Sequence, residues 1–284
     1  RVFYEEALQV LHRVEQMKAG AKRVGQDRRQ SISIAYVAST LYGGLPMLIR
    51  MFRKRYPETD IHLVDLSSVH QIAELKSGRI DLGFGRIRTG DTSVARVVLR
   101  EERLVLALPP SSPLAKARGR ISLKELVNQN LIVFPKDPRP SYADHVLSLI
   151  HDQGIHLGEI HEVREIQAAL GLVASEMGVC IIPAAARLRP DLVYRVIDDE
   201  RATSPIILSH RLNDDSWYIA AVKELIAEMY AENPPWLDLE NNAFPSMFGK
   251  EAIITTIAKV SRRKEKNKMP ASKSKTSNAN KRGS

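Results

Sequence analysis

The sequence predicts an α/β protein built as two Rossmann-like lobes, and three observations carry that reading. From Ser31 to about Tyr230, short runs of alternating apolar residues interleave with stretches of three-and-four periodicity, the pattern of parallel strands joined by crossover helices. The periodic stretches stop at Pro57, Gly78, Gly154 and Gly178, residues that end helices. The 284 residues are long for one core, which favours two sub-domains. A composition of 44% hydrophobic and 26% charged residues excludes a mainly disordered chain, a fibrous repeat and a disulfide-stapled mini-domain.

Residues 3–24 read as one amphipathic helix, because Phe3, Ala7, Val10, Leu11, Val14, Met17 and Ala21 recur at spacings of three and four. Such a helix has little core of its own to cover and suits a connector or a pairing surface. SISIAYV (31–37) alternates as a half-buried strand. Ser39 or Thr40 is expected to cap a helix with Leu45, Leu48, Ile49 and Phe52 on its apolar face. DIHLVDL (60–66) is a second strand, Ser67 and Ser68 cap a second helix, and RIDLGFG (79–85) is a third strand.

The second half continues with a strand over 102–109, a short helix in ISLKELV, and a strand at 131–134. A helix over 141–154, a short strand at HEV, a helix over 165–177 and the strand VCIIP (179–183) follow. After a strand at 192–197, SPIILSH (204–210) is placed to run back into the first sheet, and 214–230 form a last helix. Two segments, near 99–102 and 198–205, would then cross between lobes. A ligand belongs in the crevice between them, at the C-terminal ends of strands. The expected division is 1–27 as a linker and dimerisation helix, 28–100 completed by 204–236 as the first lobe, 101–203 as the second, and 237–284 as a mostly disordered tail.

The net charge of +9 belongs to that tail. Residues 250–284 carry 11 Lys/Arg against Glu251 and Glu265; removing them from the chain's 42 basic and 33 acidic residues leaves 31 of each sign. From Lys259 onward the chain has almost no apolar residues to offset its ordering entropy, so a solvated extension is expected in preference to a polyanion-binding arm. Cys180 is the sole cysteine, which forbids an internal disulfide and a two-cysteine metal site and suits a reducing cytoplasm. No apolar run approaches the roughly 18 residues of a membrane span. The charged N-terminal RVFYEEALQV lacks a signal-peptide core, so neither export nor a membrane partner is expected.

Catalytic chemistry finds no pattern. His145, His151, His156 and His161, spaced 6, 5 and 5 apart, put no pair on one helical face with a carboxylate. No nucleophile elbow, phosphate loop or dinucleotide fingerprint is present. Neither catalytic residues, nor a metal, nor a cofactor is expected.

Four segments carry a family resemblance: VASTLYGGLPMLIRMFR (37–53), AELKSGRIDLGFGR (73–86), FPKDPRPSYADHVL (134–147) and REIQAALGLVASEMGVCIIPA (164–184). Together they resemble the effector-binding region of LysR-type transcriptional regulators, and within that family the subgroup controlling catechol, benzoate and chlorocatechol degradation (CatR-like). The resemblance spans about residues 1–236 and leaves the basic tail unmatched. It implies two lobes of the periplasmic-binding-protein type II kind behind a long linker helix. Family members begin with a winged helix-turn-helix, and this sequence looks as though it starts inside the linker helix that follows it. A regulator without its DNA-reading domain is therefore expected, and direct reading of promoter DNA by this chain is in doubt.

The residues themselves suggest where a ligand sits. Ser39 and Thr40 stand where a strand meets a helix, and Ser67 and Ser68 repeat the arrangement at the next junction. Helix N-termini there favour a carboxylate, although the plain reading of all four is as helix caps. The resemblance implies effector contacts at Ser39, Ser68, Ser141 and Tyr142; the subgroup often has Thr where this chain has Ser68. PKDPRPSYAD (135–144) would face them across the crevice, with Tyr142 either flat on a conjugated ligand or in the core. The resemblance also suggests a buried network of Arg86, Arg100 and Glu165, serving either as a second aromatic-acid site or, as is favoured, a plain inter-lobe salt bridge.

The expected function is ligand sensing by a transcription factor. The effector implied is a small dicarboxylate of the cis,cis-muconate kind. The partners implied are further copies of the chain in dimers or tetramers, promoter DNA through the missing domain, and RNA polymerase. The alternative is a free-standing small-carboxylate solute-binding protein of the same architecture; an enzyme ranks third.

Overall fold

A computed structural model describes residues 7, 10, 11, 14, 30–117, 119–232 and 242–243. Ala7, Val10, Leu11 and Val14 are helical, and Val10 and Leu11 are each 62% exposed. The rest of the expected 3–24 helix, and the tail from Lys259 onward, lie outside the described residues.

The first lobe opens with β1 (Gln30–Tyr36), α1 (Leu45–Arg55), β2 (Thr59–Asp65), α2 (Ser68–Ser77) and β3 (Leu82–Gly85). β1 lies between β2 and β3 and runs parallel to both, as crossover helices require. The α1 stripe Leu45, Leu48 and Phe52 packs on this sheet with Ile32, Ile34 and Leu82. Gly78 ends α2 at φ 75°, a left-handed turn that a side chain would strain.

Ser39 and Thr40 do not cap α1. They lie in a 3-10 turn over Ala38–Tyr42, and α1 starts only after Gly44, with Pro46 in its first turn. The Gly43–Gly44 pair breaks the helical path, and Pro46 has no N–H to offer a cap.

The crossing is made by two strands. β4 (Val94–Leu108) is far longer than the expected 102–109, and its first part went unread because Arg96, Arg100, Glu101 and Glu102 interrupt the apolar alternation. The second lobe adds α3 (Pro113–Lys116), β5 (Leu131–Val133), α4 (Tyr142–His151), β6 (Ile160–Glu162), α5 (Ile166–Ala174), β7 (Val179–Pro183) and β8 (Val193–Val196). The chain returns through β9 (Thr203–Arg211) to α6 (Trp217–Ala231), and the two-residue β10 (Asn242–Ala243) pairs with Glu101 and Glu102. Residues 123–126 form a 3-10 turn in place of the expected short helix, and α3 was not foreseen.

β4 pairs antiparallel with β9 from Val94 to Arg103, then with β7 and β8 from Leu104 on. The order β2-β1-β3-β9-β4-β7-β5-β6 therefore runs through both lobes, with β3–β9 and β9–β4 antiparallel. Each lobe keeps its own core: one cluster gathers Leu104, Leu106, Ile132, Val146, Leu170 and Ile181, the other Ile34, Phe52, Leu208, Val222 and Ile226. Ile206 to Ser209 of β9 are buried, as expected of a strand returned to the middle of the first sheet.

Candidate ligand-binding cleft

A cavity of about 370 Å³ lies between the lobes. The first lobe lines it with Ser39, Asp65, Ser67, Ser68 and Arg86; the second with Pro135, Asp137, Ser141, Tyr142, Arg164, Glu165 and Gln167, among others. Six of the residues singled out from sequence thus meet at one site, together with Glu165 from the expected network.

The serines differ in what they still have to give. Ser67 caps α2 by accepting the His70 N–H at 3.3 Å. The Ser68 hydroxyl accepts the Arg86 N–H at 3.0 Å, and that of Ser39 accepts from Arg86 Nε at 2.8 Å. In all three the oxygen is the acceptor, which leaves each hydroxyl hydrogen to donate. Ser141 spends both capacities: its Oγ donates to the Pro135 carbonyl at 3.0 Å and accepts the Ala143 N–H at 3.2 Å. Asp144 completes a capping box by accepting the Ser141 N–H at 2.6 Å, so Ser141 fixes the proline loop to α4.

Thr40 is not at the cavity. It is buried, and its hydroxyl donates to the Val37 carbonyl at 2.8 Å. Tyr142 does reach the cavity, but as a core residue: it is buried, its ring packs 5.3 Å from that of Phe134, and its hydroxyl donates to the Ile181 carbonyl at 3.3 Å. Burial pushes its phenol well above the ordinary range, so it stays a donor.

The buried charge network differs from the expected one. Arg86 pairs with Glu102 at 2.7 Å, and Arg100 stands 3.7 Å from the same oxygen. Glu165 is no member; it is the N-cap residue of α5 at the cavity wall. Glu102 also accepts the Ala185 N–H at 2.8 Å from the second lobe, and Arg86 reaches Ser204 at 3.4 Å. Burial alone would raise the Glu102 carboxyl, but Arg86 and Arg100 outweigh it and hold it below its ordinary value. Sequence carried a signal for Glu102: it stands two residues from Arg100 on one strand, hence on the same face, just before the apolar run Leu104–Leu108.

Asp65, Arg164 and Gln167 were missed as wall residues because each is a lone polar side chain at an element end. Burial and then the negative Glu165 raise the Asp65 carboxyl above its ordinary value. Gln167 Nε2 donates to the Tyr42 hydroxyl at 2.5 Å, a bond from α5 to the turn that carries Ser39. Among the described residues, no group of three or more His, Cys, Asp or Glu could hold a metal ion, and no helix is long and apolar enough to cross a membrane.

Hydroxyl donors at a helix N-terminus beside a buried arginine form a receptor for a small anion. A family pattern, the LysR substrate binding domain, matches residues 25–231, both lobes with their crossing strands. This chain belongs to the LysR family of transcriptional regulators. The LysR-family chain is 54% identical over 242 residues to the probable cat1 operon transcriptional activator of Acinetobacter lwoffii, covering 85% of this chain and 80% of that one. It is 40% identical over 230 residues to the regulator CatR of Pseudomonas putida, covering 80% of this chain and 78% of the other. The effector-binding domain of BenM with its effector benzoate superposes with a TM-score of 0.68 at 36% identity, over 72% of this chain and 96% of that domain.

Proposed function

We propose that this LysR-family chain senses a small carboxylate from aromatic-compound degradation, of the cis,cis-muconate or benzoate class, and couples its binding to promoter activation. The observation that carries the reading is the inter-lobe cavity, where Ser39, Ser67 and Ser68 keep hydroxyl hydrogens to donate beside Arg86 and the first turn of α2. The likeness to the effector-binding domain of BenM, known with its effector benzoate, supports the effector class.

In this proposal Ser39, Ser67 and Ser68 hold the acid, Ser141 fixes the opposing loop, and Tyr142 supplies an apolar wall. Lobe one runs over 28–100 with 204–236, and lobe two over 101–203. Closure of the lobes is passed to an oligomer through the N-terminal helix and α1, and thence to promoter DNA and RNA polymerase in the cytoplasm. A second acid site beside Arg100 is not part of the proposal. The apolar pocket there, lined by Thr40, Leu99, Arg100 and Tyr230, has about 20 Å³ of room, enough for one water molecule.

Calorimetric titration with cis,cis-muconate, benzoate and succinate tests the reading. Saturable binding of one molecule per chain, preferring an unsaturated or aromatic acid over succinate, is the expected result. Absence of binding by all three would overturn it.

A further inference from the structure

The walls of the cavity are uneven in charge. Three carboxylates line it, Asp65 from the end of β2, Asp137 from the proline loop and Glu165 from the start of α5. Of the two cations, Arg86 is engaged with Glu102, Ser39 and Ser204. Arg164 is the other, and it makes no ion pair or hydrogen bond among the described residues. It precedes Glu165, the N-cap residue of α5, on the lobe opposite Ser39 and Ser68. A monocarboxylate needs only the serine side. A dicarboxylate must place its second charge toward the second-lobe wall, where Asp137 and Glu165 repel it and a single uncommitted guanidinium attracts it.

We propose that Arg164 is a specificity-determining residue: it binds the second carboxylate of a dicarboxylate effector across the cleft from Ser39 and Ser68, and so separates diacids from monoacids. This rests on the effector reading above and assigns a charge count to the same site. Asp65 and Glu165 work against Arg164, because both present negative charge to the same cavity from opposite lobes. The planar guanidinium takes a carboxylate through two parallel N–H donors, which lysine cannot reproduce. The contact joins the acid to the second lobe only when two carboxylates are present.

The test compares cis,cis-muconate with benzoate in the intact chain and in Arg164→Gln, Arg164→Lys and Asp65→Asn, by calorimetry at two salt concentrations. Arg164→Gln is expected to weaken muconate about tenfold or more, one charge-assisted contact, and to leave benzoate within about twofold. Lysine should restore part of the loss, and Asp65→Asn should tighten the doubly charged muconate more than benzoate. The ratio of the two affinities should also fall as salt rises in the unmodified chain and not in Arg164→Gln. Equal losses for both acids, or no loss for muconate, would overturn the assignment to Arg164 while leaving the effector reading intact. Failure of the unmodified chain to bind either acid would overturn both.

Discussion

At the scale of single residues, the site divides into groups that hold the ligand and groups that hold those groups. Ser39→Ala and Ser68→Ala each remove a hydroxyl donor to a charged acceptor, and each should weaken acid binding by about 1.5–3 kcal/mol. Both also strip Arg86 of an acceptor, so a smaller drop in stability accompanies the loss. Calorimetry alongside urea denaturation separates the two effects. Tyr142→Phe removes only the bond to the Ile181 carbonyl; it should cost about 0.5–1.5 kcal/mol of stability and leave binding nearly unchanged.

Glu102 gives the pH dependence. Its folded carboxyl is depressed, so its stabilisation is complete above the ordinary value of 4.5 and is lost as pH falls through the lower folded value. Glu102→Gln leaves Arg86 buried without its counter-charge. Breaking such a pair costs about 3–5 kcal/mol at neutral pH, and the variant should lose less stability on acidification than the parent. Urea midpoints at pH 7 and pH 4 check both statements.

Legibility in the sequence follows the same division. Ser39, Ser68 and Ser141 line the cavity, and they were singled out both by hydroxyls at strand–helix junctions and by the family resemblance. Glu165 was assigned to the wrong partner because a charge on a helix start has no spacing rule that points to Arg86. Glu102, two places from Arg100, was legible in principle through strand periodicity and was passed over.

At the scale of elements, the first-lobe order β1-α1-β2-α2-β3 was readable because its strands alternate cleanly and its helices stop at Pro57 and Gly78. The true start of α1 was not readable, since Ser39 and Thr40 look like caps until the Gly43–Gly44 break is weighed. β4 was read short because its first half mixes charges into the alternation, and only pairing with β9, a contact far along the chain, makes it a strand. Two element-level predictions follow from packing. A Cβ on Gly85 of β3 would fall 2.8 Å from the Ser68 hydroxyl and 3.3 Å from Gln71 Oε1. Gly85→Ala should therefore push α2 outward, cost about 1–3 kcal/mol of stability, and weaken acid binding as Ser68 shifts.

The capping box of α4 supplies the second. Asp144→Ala removes the acceptor for the Ser141 N–H and the partner of Arg139, which also pairs with Glu162 at 2.5 Å. A loss of about 0.5–2 kcal/mol is expected, visible as a lower thermal midpoint and as faster hydrogen exchange over 135–142.

At the scale of the whole molecule, β4 and β9 are the covalent links between lobes, and the cavity lies to one side of them. Other contacts already reach across, Arg86 to Glu102 and Gln167 to Tyr42. An acid that touches both lobes adds to these and favours the closed arrangement by its differential affinity for it. The two-lobe plan was legible from length and alternation, whereas the junction near Arg103 and Leu104 depends on strands distant in sequence. The most direct test of the central claim is a crystal structure of the chain grown with cis,cis-muconate. The account predicts the acid in the inter-lobe cavity, one carboxylate within hydrogen-bonding distance of Ser39 and Ser68 and the carbon chain against Tyr142. Muconate found only outside that cavity, with Ser39 and Ser68 untouched, would contradict it.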